Sequence, residues 1–388
     1  MICVLIADGR RLGVNIGIAA LKGRLFLLFL TIEFLGCFML QEVNFVFSKY
    51  TSLLTFVLLT VLIVLEKHSL FKEPSRLFKE ERELMAVFAG CIIALLNLFI
   101  VGSNKGAFLT AADVLLAFYA MKDMRLTKKQ TFYGFSLGAA MLIWWYPVVR
   151  WEYNFNMTGM IFIVSAILSM LFLERLKKTE KMKNERPELL IVQMVLLLTS
   201  TLLCLLYHAR CAMIGMIIFA VLTAVIKAVS KRKLLRGILI FMATAFSIAF
   251  TGLYIFLDKA GISITILYKN IISGRQKIWE ELWGQLLSKP LTGIGSSYVL
   301  KSHKIFEVHN GFFDILVVHG IIVFAIVLWI VIRRLWEVMK IETLDAEKRI
   351  ALAGLFAILF SSFFENFFIN SPYLLVVMLL VSVCKSDA

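Results

Sequence analysis

GFFDILVVHGIIVFAIVLWIVI, residues Gly311–Ile332, is apolar over a length that crosses roughly 30 Å of hydrocarbon as a helix. It contains one carboxylate near its start, Asp314, and one histidine, His319, before running into Arg333-Arg334. It has no period-two alternation of a half-buried strand, and it is apolar around its whole circumference, as a membrane span is. The segment before it is polar and ends in Val308-His309-Asn310. A histidine at the boundary between water and lipid therefore opens this span.

The remainder of the chain has the same character. Its 388 residues are 60% hydrophobic, with 33 Phe and only 5 Pro. A soluble core does not need so much apolar sequence, and the chain reads as a single all-α polytopic membrane domain over residues 1–388. Twelve spans are expected. The first six are Leu25–Leu40, Phe45–Leu65, Leu84–Val101, Gly106–Met121, Thr131–Val149 and Phe155–Leu173. The next five are Leu189–Tyr207, Cys211–Val229, Gly237–Leu257, Gly311–Ile332 and Ile350–Ile369, and the shorter Pro372–Cys384 is the twelfth. No cleavable leader is expected, because the first long span follows Gly9-Arg10-Arg11 without a small-residue cleavage site.

The formal charge of +15 does not point to nucleic acid, because the basic residues lie in short clusters between spans. The loops that twelve spans place inside hold clusters such as Lys177-Lys178, Lys231-Arg232-Lys233 and Arg333-Arg334. The short outside loops hold only Lys105, Arg150 and Arg210. This alternation satisfies the positive-inside rule with both termini cytoplasmic. The six cysteines are scattered without CxxC spacing and read as small apolar fillers.

One outside connection is long, Asp258–Val308, between the ninth and tenth spans. Within it Gly274–Ser288, GRQKIWEELWGQLLS, puts Ile278, Leu282 and Leu286 on one helical stripe with Trp279 and Trp283 beside it. Trp-rich amphipathic helices lie in the headgroup layer, so an interfacial helix is expected here, with Arg275 on the face of Trp279 near lipid-phosphate depth. Pro290 stops it, and TGIGSS follows as a tight turn. The lesser alternative, for the segment read without its surroundings, is an outer cap over the bundle.

Ionisable groups near spans are costly and mark candidate sites. Lys49, Arg210, Asp314 and Glu365, the last placed late in the eleventh span, fall near the outer boundary, and Arg150 sits in an outer loop. Glu33, Asp113 and His319 lie deeper, and Glu33 and Asp113 read as structural hydrogen-bonding groups. The outward bias of the first group places a polar cavity on the side away from the cytoplasm. No ATP is available there, so a reaction needs a substrate that carries its own leaving group, and a lipid-diphosphate-linked sugar is such a substrate. Arginine suits bidentate phosphate recognition, and histidine titrates where a base for a sugar hydroxyl is useful. Arg210, Arg275 and His309 supply that set. No Asp-x-Asp pair, Ser/His/Asp set or metal-ligand spacing is visible, so a metal-free, cofactor-free mechanism is expected.

At these residues the chain resembles the O-antigen ligase/O-antigen polymerase superfamily of bacterial integral-membrane glycosyltransferases. HNGFFDILVVHGII, His309–Ile322, looks like the family's His-Asn motif followed by an apolar run and a glycine, here Gly320. GRQKIWEELWGQLLSKPLTGIG, Gly274–Gly295, looks like its loop stretch with a leading arginine, a following aromatic, and a later Pro and Gly-x-Gly. YHARCAMIGMI, Tyr207–Ile217, resembles the shorter motif in which an arginine opens a span, although Ala209 stands where a serine usually precedes the arginine. Val323 likewise replaces a frequent second glycine.

The resemblance implies an undecaprenyl-diphosphate-linked oligosaccharide as donor, a glycan acceptor, and a site on the outer face of the bacterial cytoplasmic membrane. Arg210 and Arg275 would engage the diphosphate and His309 would serve as base. Asn310, Trp279, Arg150 and Lys49 complete the expected substrate-binding set. Membrane lipids are expected partners, with other polysaccharide-assembly proteins as further candidates. The expected activity is a surface-polysaccharide polymerase that joins lipid-linked repeat units; the alternative within the family is an O-antigen ligase acting on lipid A-core. From another class, a lipid-linked glycan transporter has against it the absence of a visible half-repeat and of paired Gly/Pro-broken spans.

Overall fold

The computed structural model describes residues 2–39, 41–71, 80–148, 155–179, 187–262, 265–266, 269–270, 274–301, 308–341 and 343–386. Its elements are helical apart from one antiparallel pair of two-residue strands, β1 (Thr265–Ile266) and β2 (Lys269–Asn270). The helices are α1 (Ile2–Phe34, continued by a π turn over Leu35–Met39), α2 (Gln41–Phe71), α3 (Arg82–Ile100), α4 (Lys105–Ala120) and α5 (Lys128–Val148). They continue as α6 (Phe155–Thr179), α7 (Pro187–Leu206), α8 (Arg210–Lys231), α9 (Lys233–Ala243) and α10 (Phe246–Lys259). After the strands come α11 (Arg275–Ser288), α12 (Gly311–Met339), α13 (Ala346–Ser361) and α14 (Ser371–Lys385).

Among the described residues, six helices are long and apolar enough to cross a membrane, or seven if the bent pair α9–α10 is one span. Helices α4, α13 and α14, with 16, 16 and 15 residues, are shorter than the helices in that set. Helices α13 and α14 are short and almost wholly buried, with Leu352, Phe356, Leu375 and Leu379 all inaccessible. An apolar helix surrounded by protein needs no polar face, so in sequence it looks the same as a lipid-facing span. Helix α7 is the opposite case: Leu190, Ile191, Met194, Leu198 and Leu202 are all exposed, forming a broad apolar face open to the surroundings of the bundle.

Two expected spans are interrupted. The stretch Gly237–Leu257 is broken at Thr244-Ala245, where α9 and α10 meet at a bend of 58°. Thr244 is fully buried, and its hydroxyl donates to the Ile240 carbonyl. The stretch Ile350–Ile369 ends as a helix at Ser361, and residues 362–370 form a turn. Glu365 therefore lies in a connection between helices, not late in a span. Ser362 makes the turn possible: its hydroxyl accepts from Phe368 N and its carbonyl from Gly311 N.

Helix α12 is kinked at Gly320, which has φ 76° and ψ 178°, and its hydrogen bonding is broken there. The turn that follows α11 fills the gap. Ile294 N donates to Val317 O, Gly295 N to Val318 O, and Ile321 N to Pro290 O. The carbonyls released by the helix are thereby paired with the loop. A Cβ on Gly320 would lie 2.2 Å from Leu291 O, and one on Gly293 would lie 2.5 Å from Gly320 N. Asn97 of α3 closes the joint from the far side, donating to the carbonyls of Thr292 and His319. The Pro-and-Gly-x-Gly turn and the glycine of α12 are thus two halves of one contact.

The deeper ionisable groups are embedded in the bundle. Thr55 donates to Glu33, and Ser371 donates to Asp113 at 3.3 Å. His319 bonds through Nε2 to Ala107 O at 3.1 Å.

Candidate active site

Four segments that are distant in sequence meet at one carboxylate. Glu365, in the turn between α13 and α14, is 2% exposed. Its Oε1 accepts from Arg275 Nη2 at 2.5 Å and from Asn156 Nδ2 at 2.7 Å. Its Oε2 lies 2.8 Å from His309 Nδ1. Asn156, near the start of α6, is tied in turn to α8 by Cys211 Sγ, 3.2 Å from Asn156 Oδ1. Burial alone would raise the Glu365 carboxyl. The His309 hydrogen bond, the charges of Arg275 and His309, and the Asn156 amide outweigh it and hold the group below the usual carboxylate value. Glu365 is therefore ionised, and the proton in its bond to His309 belongs to Nδ1.

His309 is held from both sides. Trp279 of α11 donates its indole N–H to Val308 O at 2.6 Å. The Asn310 N–H donates to Asn366 Oδ1 at 2.9 Å, and Asn366 donates to Asp314 Oδ2 at 3.0 Å. Between these clamps His309 takes φ 55°, and His208 is the other non-glycine residue with positive φ among those described. Left-handed backbone in a non-glycine residue persists where its surroundings over-determine it, and such residues cluster at functional sites. The imidazole side chain is 24% exposed, so the ring is reachable although its backbone is fixed.

Asn310 and Trp279, expected to touch substrate, hold the scaffold instead. Asn310 is fully buried; its Oδ1 caps α12 by accepting from Phe313 N at 3.0 Å and also accepts from Ser247 Oγ at 2.8 Å. Its Nδ2 donates to Ser247 O. Ser247 is available because the α9–α10 bend brings the first turn of α10 here. Trp279 is fully buried against Tyr254 and Phe250. The stripe expected to face lipid, Ile278, Leu282 and Leu286, is covered by protein, and Trp283 packs on Phe313 while donating to Thr251 Oγ1. A stripe pattern states that one face is apolar and leaves open whether lipid or protein covers it.

Gly311 permits the last approach: a Cβ there would lie 2.7 Å from the Phe368 ring, and Phe312 packs on Phe368 with centroids 4.4 Å apart. That contact brings the turn carrying Glu365 against the start of α12.

The structure brings His309 and Arg275 together. Arg210 is the first residue of α8, partly exposed, one position before the Cys211 that contacts Asn156. The preceding Ala209 is fully buried against Gly159 of α6. Lys49 lies in α2, with its side chain outside the described residues, and Arg150 lies outside the described residues altogether. Sequence reading noticed Glu365 as a boundary charge without a role, and it did not register Asn156 or Asn366. The one local signal was the run FFENFF, Phe363–Phe368, where Glu365-Asn366 interrupts aromatics. Among the described residues no group of three or more His, Cys, Asp or Glu side chains is placed to hold a metal ion.

A family model described as O-antigen ligase matches residues 195–328. That range spans α8 with Arg210, the broken pair α9–α10, α11 with Arg275, and His309-Asn310 with most of α12. Neither the comparison with curated proteins nor the comparison with solved structures returned a match. Through this segment, about a third of the chain and containing both arginines and the histidine, the chain is similar to the O-antigen ligase family.

Proposed function

We propose that this protein is a glycosyltransferase of the bacterial cytoplasmic membrane that polymerises lipid-linked repeat units at the outer face. The single observation carrying the reading is the Glu365–His309 bond with Arg275 on the same carboxylate. The ionised Glu365 fixes the tautomer with the proton on Nδ1, so Nε2 is the nitrogen that takes a proton. The acceptor sugar hydroxyl gives its proton to Nε2 as its oxygen bonds to the anomeric carbon of the donor. The anomeric carbon–oxygen bond to the diphosphate breaks, and undecaprenyl diphosphate leaves with the electron pair. Glu365 then stabilises the imidazolium formed on His309.

Arg275 has two tasks in this scheme. One guanidinium nitrogen holds Glu365, and the others face the diphosphate together with Arg210 at the first turn of α8, where the helix dipole also favours an anion. Charge developing on the leaving diphosphate is met by preorganised cations, so no general acid is required. The distribution of Lys and Arg supports an arrangement with both termini inside and an outward-facing site.

The test is reconstitution with undecaprenyl-diphosphate oligosaccharide, with and without lipid A-core. A ladder without the second substrate supports the polymerase. A single shift that requires lipid A-core assigns the ligase, and translocation without bond formation refutes transfer.

A further inference from the structure

At the opposite end of the bundle from His309 lies a second charged cavity. Helix α12 starts beside the site and, beyond its kink at Gly320, ends at Met339, 28 residues later. There a cavity of about 330 Å³ is lined by Lys227 and Lys231 of α8, Arg236 of α9 and Lys340. Among the described residues no carboxylate lines it.

Cations near helix C-termini have an ordinary explanation, since α8 and α12 both end here. That explanation falls short in magnitude. Each C-terminus offers about −0.5 elementary charge, and the start of α9 returns about +0.5, leaving roughly −0.5 against four full positive charges. Glu342 lies outside the described residues, and its whole negative charge would still leave a large positive excess. Like charges gathered in one cavity repel unless an anion joins them.

The cavity is also prepared for such an anion. Arg236 stacks over the Trp336 ring, 5.2 Å from its centroid, and Nη1 donates to Met339 O at 3.4 Å. Its Nε is buried with no hydrogen-bond partner. Lys340 lies over the same indole at 5.8 Å, so one tryptophan gathers two of the four cations. Beside the charged pocket, Leu234 and Ile238 sit one turn apart on α9 and are 74% and 48% exposed. A ligand with phosphate in the cavity and hydrocarbon along α9 satisfies both surfaces; a soluble phosphate satisfies only the first.

We infer that this cavity binds the phosphate of an anionic phospholipid headgroup in the leaflet opposite the His309 site. The bound lipid joins the ends of α8, α9 and α12. The α8 and α12 ends on the far side present Arg210 and Asn310, and α9 leads through the bend to Ser247, so the lipid braces the frame of the site. This holds whichever acceptor the enzyme uses, and even if it transfers no sugar.

Thermal unfolding of the full-length protein in neutral detergent tests it, with titration of short-chain phosphatidylglycerol, short-chain phosphatidylcholine or inorganic phosphate. Phosphatidylglycerol is expected to raise the midpoint saturably, with little effect from the other two at equal concentration. Arg236→Gln should weaken half-saturation about fivefold, and Lys231→Gln/Lys340→Gln by more than tenfold, from the usual contribution of each basic residue at an anionic surface. The double variant keeps the test open if Arg236→Gln does not fold. An equal shift from phosphatidylcholine or inorganic phosphate, or unchanged half-saturation in the folded variants, overturns the proposal.

Discussion

Glu365→Gln is the substitution that separates a carboxylate-oriented base from a merely buried hydrogen-bond hub. The side chain is 2% exposed and accepts from Arg275, Asn156 and His309 at 2.5–2.8 Å. Glutamine has nearly the same shape, but it has one acceptor oxygen and one amide nitrogen. If that oxygen stays with Arg275 and Asn156, the NH₂ group faces His309 Nδ1 and turns it into an acceptor. The ring proton then resides on Nε2, the atom that has to take the proton from the sugar. A misplaced tautomer removes general-base catalysis, worth roughly 10²–10⁴ in rate, or about 2.7–5.4 kcal/mol of barrier.

The stability cost should be separable from this. Two charge-assisted hydrogen bonds weaken, at about 1.5–3 kcal/mol each for bonds to charged groups, and Arg275 loses its counter-ion. The Arg275 side chain is 15% exposed, so solvent screening reduces the latter penalty. The assay is initial transfer rate against donor concentration in proteoliposomes, alongside thermal unfolding. We expect kcat to fall by at least a hundredfold while the protein stays folded, and Glu365→Asp to recover part of the loss. A folded Glu365→Gln enzyme with wild-type kcat across the pH range would refute the tautomer argument.

Four further outcomes follow from the structure. His309→Ala should abolish polymer formation, measured as loss of the glycan ladder, without changing expression or the unfolding midpoint by more than a few degrees. Arg275→Lys should raise KM for the lipid-linked donor and lower kcat, because one ammonium cannot span both Glu365 and a phosphate; Arg210→Ala should act mainly on KM. Gly320→Ala should be among the most destabilising single substitutions, by roughly 3 kcal/mol or more in a denaturation experiment, since it combines a left-handed φ with a Cβ 2.2 Å from Leu291 O.

Much of the membrane character and part of the site were legible in the chain. Long apolar stretches report their length and composition directly, and Gly311–Ile332 could be read as a span without any knowledge of its neighbours. His309, Arg275 and Arg210 stood out because charge at a lipid boundary is costly and therefore rare. The motif glycines were visible as well, although their purpose was not. Gly293 and Gly320 make sense only as partners in one contact, and nothing local in sequence pairs them.

Amino-acid sequence alone determined that this chain is helical and apolar enough for a membrane, where its cations cluster, and which basic side chains stand near the boundaries of its apolar stretches. Those properties depend on residue type and short-range spacing. Tertiary structure decided that α13 stops at Ser361 and turns Glu365 inward, that the α9–α10 bend delivers Ser247 to Asn310, and that Trp279 clamps Val308 and faces no lipid. Each of these is a contact between segments tens of residues apart. An apolar stretch has the same local pattern whether it crosses lipid, is buried by neighbouring helices or breaks partway, so only packing could choose among them.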